Sequence, residues 1–541
     1  MEPLIVSDQL SPTFWYLIVT LLAFTLLMKH QRSGKSSEKP KLPPGPTPWP
    51  IVGNIPEMLA NRPTFRWIQK MMNDMNTDIA CVRLGSVHVI LVSDSTIARE
   101  LCVKQDANFA SRPSSWSNEY VTTGYLTTAL TPFGEQWKKV KKLVLNELVS
   151  PLRHQWLHEK RVEEADNIVR YIYNQCTKIG GGGLVNVGVT AQQYTGNVVR
   201  RLLLNKRYFG NGSEDFGPGL EEQEYVEAVF TVLQYLFAFS VSDFIPCLRG
   251  LDLDGHERKL KKACKVMKKH HDPIIEDRIQ QWKNGQRAEK EDLLDVLISL
   301  KDDNNIPLLT EQEIKSNVLV YNLHYYFHLI LELTLASVDN PSNAVEWGLA
   351  EMINQPELLK KAVEELDNVV GKERLVQESD FPKLNYVKAC AREAFRRHPI
   401  CDFNLPHVAL KDTVVANYFI PKGSHVYIRR QGIGLNPSIW KDPLKFNPER
   451  HLKVEGYNLN LSEPSLDLVT FGTGRRGCSG VILGTSMTVM LFARLLHSFT
   501  WSVPPNMSSI DLSESHGGTT KAMPLVAVAE PRLPPHVYGL Y

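Results

Sequence analysis

Between Phe471 and Gly480 the chain reads Phe-Gly-Thr-Gly-Arg-Arg-Gly-Cys-Ser-Gly. Two chemistries compete for this segment. Read literally, Gly472-Thr473-Gly474-Arg475-Arg476-Gly477 is the G-x-G-x-x-G of a dinucleotide-binding turn, and it follows a strand-like Leu468-Val469-Thr470. That fold needs an acid about 20 residues further on to hold a ribose. No Asp or Glu lies between Cys478 and Ile510, and too little chain remains for the rest of such a domain. The second chemistry centres on Cys478. Glycines on either side let the backbone approach a flat group closely. A mostly apolar segment follows, from about Gly480 to Phe499, and reads as a helix. Its N-terminal dipole and free N–H groups would stabilise a thiolate at Cys478. A thiolate on iron is the axial ligand through which oxygen-activating haem enzymes push electron density toward O–O cleavage.

Phe471-x-x-Gly474-x-Arg476-x-Cys478-x-Gly480 resembles, in full, the haem-binding signature of the cytochrome P-450 superfamily. The resemblance implies Cys478 as the iron (metal) ligand. It also implies Phe471, Gly474, Arg476 and Gly480 as residues around haem (iron protoporphyrin IX). The other seven cysteines have no such setting and read as inert thiols. Glu393 and Arg396 share one helical face at i, i+3. Alone, such a pair is usually solvated and worth a few tenths of a kcal/mol. Followed by His398-Pro399, it resembles the E-x-x-R helix of the superfamily, and Pro448-Glu449-Arg450 resembles the loop whose Arg completes that structural lock. Trp137 and Lys141 resemble the W-x-x-x-R pair that reaches a haem propionate. Lysine in place of the arginine keeps the charge without the bidentate fork.

Three departures narrow the resemblance. Where an acid–Thr pair is usual in the oxygen-activating helix, Ala336-Ser337-Val338-Asp339 is followed by Asn340-Pro341-Ser342-Asn343. Where Pro-Arg is usual after the E-x-x-R helix, the chain has Leu405-Pro406-His407, and Pro-Glu-Arg-Phe becomes Pro448-Glu449-Arg450-His451. Together these resemble the plant family of cytochrome P-450s that N-hydroxylates amino acids (family seventy-nine), from about Pro43 to the end. That resemblance implies two rounds of N-hydroxylation of a small α-amino-acid substrate, with O2 and electrons from NADPH. Dehydration and loss of CO2 then give an aldoxime, which opens plant routes to glucosinolates and cyanogenic glucosides. It places Asp339 and Asn340 as catalytic residues where proton delivery to bound O2 is managed. An Asn amide hydrogen-bonds but does not titrate. His407 is expected at a propionate, and Ile400-Cys401-Asp402-Phe403 is expected to face the substrate. Cys401-Asp402 and Thr520-Lys521-Ala522-Met523-Pro524 depart from the family order, so side-chain preference stays open. Arg112 is a candidate to meet the substrate carboxylate, against a structural role.

Upstream of Ala336 the chain runs about a dozen residues longer than that family pattern, within Leu319–Leu331. Twelve added residues are over three helical turns, about 18 Å, and turn the upstream face by about 120°. A misplaced helix or a bulge beside the active site is the expected consequence. A retained intron or a lineage-specific insertion would each produce it. His324 and His328 stand at i, i+4, but no third ligand lies nearby to make a metal site.

The elements that must position these residues are mostly helical. Segments near 154–178, 220–238, 256–284, 311–355, 357–369 and 383–397 carry apolar residues at three- and four-residue spacing. Short β-like runs occur at Ala80–Leu84, Val87–Val92 and His425–Ile428. Gly180 to Gly183 read as a connecting loop, since no Lys-Ser/Thr follows to make a phosphate cradle. The fold class is therefore mostly α with small β-sheets (α+β), in one large domain, as the resemblance also implies.

The chain has 541 residues, of which 43% are hydrophobic and 22% charged, with 61 Lys+Arg against 59 Asp+Glu for a net +2. This excludes a disordered tail and nucleic-acid binding by bulk charge. Leu10 to Met28 is free of charge, long enough for about 30 Å of helix, and basic residues follow it rather than precede it. An uncleaved single-pass anchor with the body in the cytosol fits this order better than a signal peptide. The expected division is lumenal 1–9, anchor 10–28, a basic and Pro-rich hinge at 29–50, and a cytosolic haem-thiolate domain at 51–541. On that topology the sequons at Asn211, Asn460 and Asn506 go unused. The location expected is the endoplasmic reticulum membrane, in contact with lipid. Lys138, Lys139, Lys141, Lys142 and Arg475 would form a basic face for an acidic partner, NADPH-cytochrome P-450 reductase. Three rival readings remain: a carbon-hydroxylating P-450 of secondary metabolism, a member impaired by the insertion, and a non-enzymatic membrane-anchored haem or scaffold protein. The first should prefer Thr at 340 and Arg at 407.

Overall fold

The structure, a computed structural model, describes residues 41–539 apart from 123, 126, 178–182, 208–219, 237, 301–318, 453–457, 462–465 and 517. Side chains of 220–223 and 319–331 are also outside the description. The expected anchor at 10–28, most of the Gly180 loop and the sequon at Asn211 therefore lie outside the described residues.

The principal helices are α1 (Thr64–Asp74), α2 (Glu135–Leu143), α3 (His158–Thr177), α4 (Val187–Leu204), α5 (Leu220–Leu236), α6 (His256–Lys283), α7 (Leu319–Ile353), α8 (Pro356–Val369), α9 (Asn385–Arg397) and α10 (Val481–Ser498). The strands are β1 (Ile79–Leu84), β2 (Val87–Val92), β3 (Leu184–Asn186), β4 (His407–Val408), β5 (Thr413–Val415), β6 (Tyr418–Ile420), β7 (His425–Ile428), β8 (Phe499–Ser502) and β9 (Val526–Pro531). They form sheets ordered β1-β2-β7-β4, β3-β9-β8 and β5-β6. Within the first sheet only β2 and β7 are parallel, with Val89 opposite His425. The mostly-α reading with small sheets holds, and the expected runs at Val87–Val92 and His425–Ile428 are strands over those residues. Leu468–Thr470 is not a strand, which removes the strand that a dinucleotide turn requires.

Helix α4 carries no charged face and so escapes a search for amphipathic periodicity. Thr190, Gln193, Thr195, Asn197 and Arg200 are buried along with its apolar residues. It lies against α7 in the main core, which also takes in α3, α9 and α10. Gly348 brings α7 close to α10, since a Cβ there would stand 3.0 Å from Phe492 Cζ. Among the described residues α10 is the one helix long and apolar enough to span a membrane, but most of it is buried inside the protein. It is a core helix, and its first turn follows Cys478.

The expected bulge in α7 is not formed. The helix runs unbroken from Leu319 to Ile353. Its one internal irregularity is Pro341, which has no N–H to donate to the carbonyl of Ser337.

Behind the site, the Glu393–Arg396 pair is not a solvated one. Both side chains are fully buried, with Arg396 Nε 2.8 Å from Glu393 Oε2 and Nη2 2.8 Å from Oε1. Arg450 Nε reaches Oε1 at 3.1 Å and His451 Nε2 reaches Oε2 at 2.8 Å. His451, which replaces the usual Phe, thus joins the lock as a further donor. Burial alone would raise the Glu393 carboxyl, but hydrogen bonds from Arg396 and His451 hold it down at about 2.

Candidate functional site

The glycine-rich loop forms as it does because two of its residues need positive φ. Gly472 (φ 64) and Gly474 (φ 68) take the left-handed conformation, and Gly474–Arg476 closes a 3-10 turn. A Cβ at Gly474 would fall 2.5 Å from Asp106 Oδ1 and 2.6 Å from the carbonyl oxygen of Cys102. The Cys478 N–H donates to the Phe471 carbonyl at 2.8 Å, which folds the loop back and presents the thiol to an internal cavity. That cavity measures about 1060 Å³. The thiol is exposed to the cavity and otherwise enclosed by protein. Burial raises its pKa, while the N–H of Gly480 and the charges of Lys141 and Arg430 pull the other way. The helix-end stabilisation expected from the sequence is thus present, but in the chain alone burial outweighs it.

Trp137, Lys141, Arg476, Arg112 and His407 all line this cavity. Lys141 Nζ donates to Gly477 O at 3.0 Å and Ser479 Oγ at 2.8 Å, one residue on each side of Cys478. Trp137 Nε1 donates to Thr128 O at 3.0 Å, and the Arg476 guanidinium lies 4.4 Å over its ring. Arg476 donates to the carbonyls of Ala110, Thr128 and Thr131. Arg112 donates to those of Ala129, Leu405 and Pro406, which ties it to the backbone leading into β4. His407 directs Nδ1 to the Phe109 carbonyl at 2.7 Å. Burial and the nearby Arg112 push its pKa down to about 3, so the ring is neutral, with Nδ1 protonated.

The other wall is α7. Ala336, Ser337, Asp339, Asn340, Pro341 and Asn343 line the cavity. Asn340 Nδ2 donates to the Ala336 carbonyl one turn back at 2.8 Å, and the buried Asn343 amide nitrogen has no partner among the described residues. Burial, reinforced by Glu346 two turns on, raises the Asp339 carboxyl to about 7. Ile400, Cys401, Asp402 and Phe403 line the cavity together, as do Thr519 and Thr520, whereas Lys521 lies over the Trp347 ring at 4.7 Å.

Phe403, expected at the substrate, is joined by residues that carried no readable signal. Phe239, Phe403 and Tyr427 come from separate segments and pack ring against ring at 5.1 to 5.9 Å as an aromatic wall. Glu332 is buried, accepting from Thr128 N and Oγ1 and from Ala129 N. Arg430 also enters the cavity.

The Cytochrome P450 family model matches residues 43–526. The chain belongs to the cytochrome P450 family. Isoleucine N-monooxygenase 1 of Lotus japonicus is 57% identical to this P450 over 97% of this chain and 96% of that one. Tyrosine N-monooxygenase of Sorghum bicolor is 55% identical over 92% and 88%, and valine N-monooxygenase 1 of Manihot esculenta 53% over 95% and 91%. Within the P450s the chain falls with the plant amino-acid N-monooxygenases.

The family is one of haem-thiolate enzymes, and the residues present fit that group. The Cys478 thiol, in its glycine loop, faces a cavity large enough for a macrocycle and a small substrate. Glycines on the thiol side leave room for a flat ring, with nothing within 4 Å of a Cβ at Gly480. Cations and N–H donors from Trp137, Lys141, Arg112 and Arg476 line the walls, as carboxylate side arms require.

Among the described residues no cluster of three metal-ligating side chains exists. His324 and His328 lie outside the described side chains. The basic face is partly neutralised. Arg475 is paired with Asp106 and Lys138 with Glu135, while Lys141 turns inward, leaving Lys139 and Lys142 exposed.

Proposed function

We propose that this P450 N-hydroxylates an α-amino acid twice and releases the aldoxime with loss of CO2. Per turnover the amino acid, two O2, two NADPH and two protons become aldoxime, CO2, three waters and two NADP+. The observation that carries the reading is the α7 wall, where Asp339 is followed by Asn340 in place of the usual Thr, in a chain so similar to named amino-acid N-monooxygenases. Haem bound at Cys478 supplies the one-electron and O2 chemistry. Lys141 and the Gly480 N–H favour the ionised thiol, and Arg112 and Arg476, the latter stacked on Trp137, would hold the carboxylate arms through the N–H bonds not given to backbone carbonyls, with neutral His407 beside them. Asp339, poised near neutral pH, gives or takes the proton at its carboxyl oxygen. Asn340 would orient a water through its amide. Phe239, Phe403 and Tyr427 exclude water around the amino-acid side chain.

Electrons come from NADPH through a flavin reductase, docked at the exposed lysines of α2. The protein sits on the endoplasmic reticulum membrane through an anchor at 10–28, its catalytic domain in the cytosol. Incubation of the membrane-bound protein with reductase, NADPH and a panel of amino acids tests the reading. Aldoxime from at least one supports it. Turnover of a terpenoid or phenolic, with no aldoxime from any amino acid, overturns it.

A further inference from the structure

Two arginines follow β7, and the fold treats them differently. Arg429 is buried against Asp402, with Nε 3.1 Å from Oδ2. Arg430 is tied through its main chain, its N–H donating to the Asp402 carbonyl at 2.6 Å, and its side chain enters the cavity. The Asp402 carboxylate pairs with Arg429, and only its main-chain carbonyl is turned to Arg430. Among the described residues the Arg430 guanidinium has no ion pair or hydrogen bond, and its buried Nε is without a partner.

Three other cations of the cavity, Arg112, Lys141 and Arg476, influence one another electrostatically, with Glu332 and the neutral His407 among them. None of these acts on Arg430, whose charge meets the thiols of Cys401 and Cys478, the second of which it shares with Lys141. Cys401 in turn feels both Arg430 and Asp339. The lone cation, the α7 acid and the cavity thiol therefore share one region. Phe403, from the aromatic wall, lies two residues beyond Cys401.

A buried guanidinium without a counter-charge is costly, and that cost is offset when a carboxylate arrives. Its planar fork suits a carboxylate bidentately. We propose that Arg430 binds the carboxylate of the amino-acid substrate inside the cavity. This rests on the function proposed above. It assigns to Arg430 the counter-charge that the sequence suggested for Arg112, whose Nε and Nη1 are spent on backbone carbonyls. A haem propionate presents the same chemistry, so haem content must be read alongside substrate affinity.

The test titrates wild-type holoenzyme, R430Q and R430K with L-isoleucine, L-valine, L-phenylalanine, L-tyrosine and L-tryptophan, following the Soret shift. The corresponding amino-acid amides, which keep the α-amine but carry no charge at the carboxyl position, are titrated in parallel. The expected result is a Kd for the amino acid weakened about 10- to 100-fold in R430Q and partly restored in R430K, with amide affinity and haem per protein unchanged. Equal Kd values in wild type and R430Q overturn the assignment. Haem loss in R430Q and R430K also overturns it, in favour of a propionate. Should R430Q fail to fold, the wild type still decides, because binding the amide as tightly as the acid contradicts a buried cation for the carboxylate. A wild type that responds to no amino acid overturns the proposed function as well, which separates the two failures.

Discussion

Lys141 Nζ lies 2.8 Å from the hydroxyl oxygen of Ser479 and also takes the carbonyl of Gly477, so one side chain grips both neighbours of Cys478. The lysine that stands where an arginine was expected touches the ligand loop itself. Lys141→Met removes both bonds and the positive charge that favours the thiolate. Charge-assisted hydrogen bonds of this kind are worth about 1.5–3 kcal/mol. The reduced, CO-bound variant should show a severalfold smaller band near 450 nm per mole of haem. An undiminished band would mean that the loop holds its thiolate without this lysine.

Gly474→Ala attacks the same loop from the other side. The substitution forces φ 68 on a residue with a Cβ and drives that atom against Asp106 and the Cys102 carbonyl. The expected cost is about 1–3 kcal/mol of local strain, seen as weakened haem retention on gel filtration. Gly484→Ala is the control, because its Cβ meets nothing closer than 3.7 Å.

The lock behind the site predicts acid sensitivity. Glu393 titrates at about 2 in the folded protein, against about 4.3 in an unfolded chain. Its folded-state value is depressed, so its contribution is complete above about pH 4.3 and is lost as pH falls toward 2. Glu393→Gln should cost about 3–5 kcal/mol at pH 7, because it leaves Arg396 buried without its partner. Urea unfolding at pH 7 and at pH 3 checks this, and the gap between wild type and variant should narrow in acid.

Asp339 predicts a pH effect of opposite sign. Its carboxyl is raised to about 7, so it keeps its proton in the folded protein where an unfolded chain has lost it. Folding stability from this group therefore falls as pH rises from about 4 to 7, and Asp339→Asn removes that slope. In catalysis the wild-type kcat profile should bend near pH 7. The variant should lose about 10²-fold or more in kcat together with that bend. A variant with wild-type kcat at every pH ends the proton-transfer role.

Much was written locally. The ligand cysteine lies within a few residues of its glycines and Glu393 within three of Arg396, and the helical and strand periodicities at 256–283, 385–397 and 425–428 are each just as local. Backbone conformation and side-chain period are short-range properties, and a single chain exposes them. The bulge expected upstream of Ala336 has no counterpart, because the helical hydrogen-bond pattern continues from Leu319 to Ile353.

Contacts between distant segments had no such signal. Lys141 meets Gly477, Arg112 meets Leu405, His451 meets Glu393, and the three rings of the cavity wall come from separate stretches of chain. The adjacent Arg429 and Arg430 read alike in sequence. Only the folded chain, by giving Asp402 to one and the cavity to the other, decided which would be a satisfied core cation. Residue type and local spacing thus determined the chemistry this protein carries. Packing, which sets where each charge finds or lacks a partner, decided which residues are free to use it.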